Sequence, residues 1–318
     1  MSGRPERVGV LDVGCFSAQL VVVDRARGSL LHPEVSHKVR LRMDRALDER
    51  GRITKAGVDE LVSAVRQARR LADRAEVTTL VPFATSVIRD AANGADVMEQ
   101  VATRSGVGLG VLSGPEEARL SFLAARRWFG WSAGPLVVMD VGGGTVEIAA
   151  GEAETPDFAR SLPIGARTLT REWLDDVAAS PRRLRDLRSH LTKRIDDVLP
   201  AEVTGRAVGC SKVFEQLARL AGARPQRDGL SVPRRLTIDD LRACIPRLAS
   251  RSARQRARLP GISAHRARQS LAGAVVAEAL MSTAGRDVVE ICPWSTREGL
   301  LLSLIERPDR VDHQIRVA

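Results

Sequence analysis

The sequence predicts an α/β protein of two similar domains, each a mixed sheet flanked by helices, with a cleft between them. Three observations carry this. The chain has 318 residues, beyond the roughly 100–200 that one domain usually holds. Apolar runs of strand length alternate with stretches of helical periodicity from end to end. One stretch also recurs without gaps: Val10-Leu11-Asp12-Val13-Gly14-Cys15-Phe16-Ser17-Ala18-Gln19-Leu20 aligns on Val138-Met139-Asp140-Val141-Gly142-Gly143-Gly144-Thr145-Val146-Glu147-Ile148. Strand, terminal Asp, glycine turn, hydroxyl residue and return strand thus appear twice, the signature of a duplicated unit.

Taken in order, residues 8–14 and 20–23 read as strand, turn and strand, and 24–28 as the next turn. Between 54 and 74, Val58, Leu61, Val62, Val65 and Ala72 recur at helical spacing, so an amphipathic helix is expected before a strand at 78–85. Ser113 suits an N-cap, Pro115 a first turn, and Glu116 and Glu117 the positive end of a helix whose apolar stripe is Leu120, Leu123, Ala124 and Trp128. Turn residues at 128–134 place the domain boundary there: residues 1–131 form the N-terminal domain and 132–318 the C-terminal one. The last helix, about 298–306, is a candidate to pack back on the first domain. Residues 135–139 open the second sheet, 206–210 form a short strand, and Ser211 caps a helix over 212–221. One long helix is expected over 264–285 and a last strand at 288–291.

Composition narrows the function. Aromatic residues make up 3% of the chain and Tyr is absent, so the cores rest on Leu, Val, Ile and Ala and no stacking platform for single-stranded nucleic acid is present. A formal charge of +10 favours polyanionic partners. Cys15, Cys210, Cys244 and Cys292 are far apart, with no Cys-x-x-Cys spacing and no secretory signal, which predicts free thiols in a reducing cytoplasm. No apolar run approaches the roughly 18 residues that span a membrane.

The glycine turn at 142–144 is the strongest chemical feature. Consecutive glycines let backbone N–H groups approach an anion with no side chain in the way. Thr145 adds a hydroxyl, and Asp140 and Glu147, across the tight hairpin, suit a hydrated Mg²⁺, with Mn²⁺ as the alternative. The same residues also suit a plain hairpin with two surface acids. Glu116 and Glu117 by themselves read as stabilisers of a helix N-terminus. Arg89 follows a predicted strand and offers a guanidinium for forked phosphate contacts, although an isolated Arg is usually a surface residue. Gly209 and Ser211 precede a helix, where capping and anion binding are equally good readings. Arg247, Arg251, Arg254, Arg256, Arg258, Arg266 and Arg268 crowd one segment that would suit a multivalent polyanion or simply a solvated face. The five histidines show no metal-ligand spacing.

In this ordered set the chain resembles the exopolyphosphatase and guanosine pentaphosphate phosphatase family, short form, of the actin-like ATPase superfamily. The residues that carry the resemblance are Gly9–Gly14, Ala84–Ala91, Ser113–Ala118, Asp140–Glu147, Ser161–Ala166, Leu259–Ser263 and Arg297–Gly299. It implies two actin-like, ribonuclease-H-like domains and Mg²⁺-dependent hydrolysis of terminal phosphoanhydride bonds in inorganic polyphosphate. The alternatives are guanosine pentaphosphate as substrate, or a weakly catalytic sensor of such anions. A cytoplasmic homodimer without membrane or nucleic-acid partners is also implied. The second Glu of the family's Ser-Gly-x-Glu-Glu-Ala motif is its water-activating base, matching Glu117. The resemblance also puts Gly14, Cys15, Phe16, Ser17, Arg89, Gly142, Gly143, Gly144, Thr145, Gly209, Ser211 and Arg266 on phosphate, and Asp140, Glu147 and Asp12 on the metal. Two positions depart from the pattern. The first turn carries Cys15 and Phe16 where the family has Ser and Asn, and Arg268 stands where an acidic residue is common. A Phe beside the substrate would reshape the site and slow turnover.

Overall fold

The computed structural model describes residues 6–26, 30, 32–174, 179–306 and 316–317. Gly28, the end of the turn expected after Asp24, lies outside them. The first strands are β1 (Arg7–Val13), β2 (Ser17–Asp24), β3 (Val35–Arg40), β4 (Val77–Ala84) and β5 (Gly110–Val111). They are followed by β6 (Leu136–Val141), β7 (Val146–Gly151), β8 (Phe158–Leu162), β9 (Arg206–Cys210), β10 (Arg235–Thr237), β11 (Val288–Ile291) and β12 (Arg316–Val317). The helices are α1 (Lys55–Arg74), α2 (Ser86–Arg89), α3 (Gly94–Ser105), α4 (Gly114–Phe129), α5 (Ala166–Trp173) and α6 (Pro181–Asp196). After them come α7 (Ser211–Leu220), α8 (Ile238–Ala249), α9 (Ala253–Arg256), α10 (Ser270–Thr283) and α11 (Thr296–Glu306). None of these helices is long and apolar enough to cross a membrane.

The chain divides into two compact units, Met1–Ser113 with Arg297–Ala318, and Gly114–Thr296. The first holds a sheet of order β12-β5-β4-β1-β2-β3, the second a sheet of order β10-β11-β9-β6-β7-β8. In each, the strand that opens the repeat pairs antiparallel with its successor and parallel with a later strand: β1 with β2 and β4, β6 with β7 and β9. Asp12 lies opposite Gln19, and Asp140 opposite Glu147. The turns match as well, since the Gly14 N–H donates to the Ser17 carbonyl at 2.9 Å and the Gly142 N–H to the Thr145 carbonyl at 2.9 Å. The repeat in the sequence is therefore a repeat of backbone hydrogen bonding.

Helix α1 follows from its pattern. Thr54 caps it by accepting from the Gly57 N–H, and Val58, Leu61, Val62, Val65, Ala68 and Ala72 line the buried face. Each large aliphatic side chain buried this way contributes about 1.5–3 kcal/mol. In the second unit α10 is buried on every side from Ser270 to Met281. This corrects the long helix expected over 264–285. The preceding segment forms a turn and a short 3₁₀ stretch at Ala267–Gln269, because its His and Arg side chains have no place in an all-apolar environment.

The division between units falls at Ser113 and Gly114, earlier than the boundary expected after Trp131, and the reason is α4. Its Ala118, Phe122 and Ala125 pack with Leu136, Val138, Ala149 and Val208 of the second unit. Arg126, only 2% exposed, ties the turn after the helix to the same sheet: its guanidinium donates to the carbonyls of Gly134 at 2.9 Å and Gly151 at 3.3 Å. The turn residues around 130–134 are thus an internal corner of one unit. Residues Arg297–Ala318 belong with the first unit, where Arg25 donates to the Ile305 carbonyl at 3.1 Å.

Candidate active site

Three carboxylates gather in the second unit, and the local fold explains their positions. Asp140 is the second-last residue of β6 and Glu147 the second of β7, directly opposite each other, and Ser161 on β8 lies opposite Glu147. A Cβ on Gly114 would stand 2.3 Å from the Ser161 Cβ, so glycine there lets the start of α4 close onto β8. Glu117, in the first turn of that helix, is consequently near enough for its charge to act on Glu147. Glu117, Asp140 and Glu147 are 8%, 6% and 5% exposed. Glu116, on the same turn, is half-buried.

Hydroxyl groups surround the acids. Ser161 Oγ donates to Glu147 Oε1 at 2.8 Å. Asp140 Oδ2 accepts from Ser121 Oγ at 3.2 Å and from Ser295 Oγ, and Ser121 also contacts Thr296 Oγ1 at 2.9 Å. Burial pushes the Asp140 carboxyl above the usual range, against the hydrogen bonds from Ser295, Ser121 and Ser211. Glu147 is raised further: burial comes first, then the charges of Glu117 and Asp140, while hydrogen bonds from Ser161 and Thr145 oppose the rise. Sequence reasoning missed Ser121, Ser161, Ser295 and Thr296. Isolated hydroxyl residues carry no local signal, and only β8, α4 and the start of α11 bring them to the acids.

A raised carboxyl in the folded chain keeps a proton that the unfolded chain has lost. Stability therefore falls as pH rises from about 4.3, the ordinary Glu value, through the raised one. Glu147→Gln removes that loss. The variant is expected to be more stable than wild type at pH 7–8 and equal to it near pH 4, as thermal unfolding across that range would read out. A variant less stable than wild type at pH 8 would contradict the charge repulsion.

The glycine turn leaves backbone donors open. Its three carbonyls are all taken by the start of α5: Gly142 accepts from the Ala166 N–H at 3.0 Å, Gly143 from Arg167 at 2.8 Å, and Gly144 from Gly165 at 3.0 Å. The N–H groups of Gly143, Gly144 and Thr145 donate to no described residue, although Gly144 and Thr145 are buried. Buried donors without acceptors demand a ligand or water, and successive N–H groups in a glycine turn form an anion nest. Thr145 gives its hydroxyl to Glu147. Beside the turn, Arg167 Nη1 is buried with no hydrogen-bond partner.

The donor set fits a hydrated Mg²⁺. Among the described residues no three of His, Cys, Asp or Glu are placed to hold a metal ion by themselves. Mg²⁺, however, takes one or two carboxylates together with waters and substrate phosphates, and the hard oxygens of Asp140 and Glu147 supply that. Two carboxyls raised by burial and by neighbouring charge are also sites where a cation relieves repulsion.

The corresponding turn of the first unit differs. Gly14 faces Asp12 and Thr85, whose Oδ1 and Oγ1 stand 3.8 and 3.5 Å from where its Cβ would be. Gln19 occupies the place of Glu147 and accepts from Arg297 Nη1 at 2.8 Å, so this turn carries one acid rather than two. Phe16 is 7% exposed. Cys15 and Phe16 thus stand in place of two polar side chains. The carbonyls of Cys15 and Phe16 accept from Met43 and Leu41, both at 3.0 Å, and Ser17 opens β2.

The remaining predicted residues make the following contacts in this structure. Arg89 is engaged by Asp90 at 2.8 Å and by the Leu112 carbonyl at 3.0 Å. Gly209 makes room for the Phe214 ring, which a Cβ would meet at 2.7 Å. Ser211 does not cap α7, whose N-cap is Cys210. It stands at φ +77°, a conformation that favours glycine, and its hydroxyl donates to the Val141 carbonyl at 3.1 Å. Arg266 lines a cavity of ≈10 Å³ with Gln216 and Gln269, room for about one water. Within the arginine-rich segment, Arg256 is buried and binds the carbonyls of Leu248 and Arg268, so it is structural.

Comparison with known proteins follows the same line. The chain matches the Ppx/GppA phosphatase family over residues 21–308. It is 46% identical to Exopolyphosphatase 1 of Mycobacterium leprae over 304 residues, covering 94% of this chain and 90% of that one. It is 45% identical to Exopolyphosphatase 1 of Mycobacterium tuberculosis H37Rv, covering 94% and 88%. Among solved structures, the Aquifex aeolicus member of the Ppx/GppA family superposes with a TM-score of 0.80 at 23% identity, covering 96% of this chain and 99% of that chain. The fold is thus the two-domain, actin-like one.

Proposed function

The chain belongs to the Ppx/GppA phosphatase family, and from that premise we propose that it is an exopolyphosphatase, releasing orthophosphate from the end of inorganic polyphosphate. The observation that carries this reading is the pairing of a buried carboxylate, Glu117, with a glycine turn whose Gly143, Gly144 and Thr145 N–H groups have no described acceptor. The names of the mycobacterial relatives support the substrate.

In this mechanism the turn holds the oxygens of the terminal phosphoryl group. Glu117 takes a proton from water as the water oxygen attacks that phosphorus, and the bond to the bridging oxygen breaks, leaving its electron pair on the shortened chain. Phosphoryl transfer needs positioning and charge neutralisation more than covalent catalysis, so one base, a preorganised nest and a charge-neutralising cation suffice. Asp140 and Glu147 would hold Mg²⁺, or Mn²⁺, which when bound neutralises phosphate charge. Ser161, Ser121 and Ser295 orient these two acids.

Purified protein should release phosphate from polyphosphate when Mg²⁺ is present and not when it is chelated. No release from any polyphosphate length would overturn the reading, and faster release from guanosine pentaphosphate would reassign the substrate. The proposal extends to a cytoplasmic homodimer, an expectation drawn from the family, with sedimentation as the check on the dimer and cell fractionation on the location.

A further inference from the structure

We propose that Arg167 is a substrate-binding residue, its guanidinium completing the phosphate site that the Gly143, Gly144 and Thr145 N–H groups begin. The inference rests on the phosphohydrolase reading and adds a charged group to the site. The backbone brings Arg167 there, because its N–H donates to the Gly143 carbonyl at 2.8 Å. Its side chain then lies against the turn: from the position a Gly143 Cβ would occupy, Arg167 Cβ is 3.8 Å and Nη1 3.7 Å away.

Two independent features point to a ligand between them. The first is the unmet charge. Nη1 is buried with no hydrogen-bond partner, and among the described residues no carboxylate pairs with the group. Arg126 and Arg256 also each have one buried nitrogen without a partner. Their guanidinium groups, like that of Arg234, are nevertheless anchored by carbonyls of Gly134 and Gly151, of Leu248, and of Arg224, Val232, Pro225 and Gly229, whereas the half-buried Arg167 side chain has no such anchor among the described residues. A buried guanidinium donor without an acceptor is costly and calls for an explanation. An anion supplies one, through a charge-assisted hydrogen bond that Arg makes well with phosphate.

The second feature is the glycine itself. Gly143 has no positive φ, and a Cβ on it would meet Arg167 only at ordinary contact distance. Neither backbone conformation nor packing requires glycine there. What glycine leaves is space on the face toward Arg167, next to N–H groups that lack acceptors. A phosphate oxygen in that space would receive donors from both sides.

Steady-state phosphate release from polyphosphate tests this in the full-length protein. Arg167→Ala is expected to raise KM roughly 10- to 100-fold, the loss of one to two charge-assisted contacts, with a smaller change in kcat. Arg167→Lys should recover part of the loss, since it restores the charge without the fork. Gly143→Ala should raise KM while leaving Tm unchanged, because it fills the space at ordinary contact. An active wild type with unchanged KM in Arg167→Ala would overturn the inference, as would equal losses in the Ala and Lys variants accompanied by a fall in Tm. If wild type releases no phosphate, the phosphohydrolase reading itself fails. Calorimetry with inorganic tripolyphosphate then decides Arg167 alone: weaker binding by the Ala variant supports the contact, and unchanged binding removes it.

Discussion

Glu117→Gln is expected to lower kcat for phosphate release by about 10²–10⁴-fold, the usual contribution of a positioned general base, with KM little changed. The amide keeps the size and position of the carboxylate but cannot take a proton from water. Two features of the site make the effect specific to Glu117. Glu147 accepts from Ser161 and is assigned with Asp140 to the metal. Asp140 is already engaged by Ser121 and Ser295. Replacing Glu117 also removes one of the charges that raises Glu147. Loss of activity together with loss of stability would mean a structural role for Glu117, and unchanged kcat would remove it from the mechanism.

Gly165→Ala is the second large effect, and its origin is steric. Gly165 has φ −69° and ψ 159°, which alanine adopts without strain. Its Cβ, however, would stand 2.4 Å from the Gly144 carbonyl carbon, 2.5 Å from the Thr145 nitrogen and 2.6 Å from the Gly143 carbonyl carbon. These are backbone atoms and cannot rotate away. To relieve the overlap, α5 must separate from the glycine turn, breaking the hydrogen bonds from Gly165, Ala166 and Arg167 that hold the three carbonyls. A loss of about 3 kcal/mol is expected from such overpacking, a fall in Tm of about 6–12 °C for a unit of this size. Phosphate release should fall more than tenfold, because the N–H nest loses its orientation. Gly143→Ala is the contrasting case, one glycine away in function yet without a clash. Wild-type Tm and activity in Gly165→Ala would show that the turn is not held by α5.

The contiguous parts of this architecture were readable from the residues themselves. The glycine turns, the Asp before each, and α1 with its cap Thr54 are properties of neighbours along the chain, where hydrogen-bonding range and helical period act directly. Glu117 stood out only through its motif, since by local rules an acid at a helix N-terminus is a stabiliser. Ser211 was read as a cap because hydroxyl residues favour that position, yet the turn leaving β9 puts Cys210 there instead. Arg89, read as an anion binder, also binds Asp90 and the Leu112 carbonyl, and Gly209 also admits the Phe214 ring. Phe16, expected beside the substrate, is buried.

By itself, the amino-acid order determined the duplicated strand-turn-strand units, the glycine turn at Gly142–Gly144 and the acids that accompany it. These follow from backbone sterics and from spacing within a few residues. Tertiary structure alone decided that α4 belongs with the second sheet, that Ser121, Ser161 and Ser295 orient Asp140 and Glu147, and that Arg167 lies unpaired beside the turn. Each of these depends on which surfaces close on one another: the small Gly114 against Ser161, Gly165 against the turn, the Phe122 face of α4 against β6. Such contacts join residues far apart in sequence, and burial, not local propensity, sets their charge and their partners.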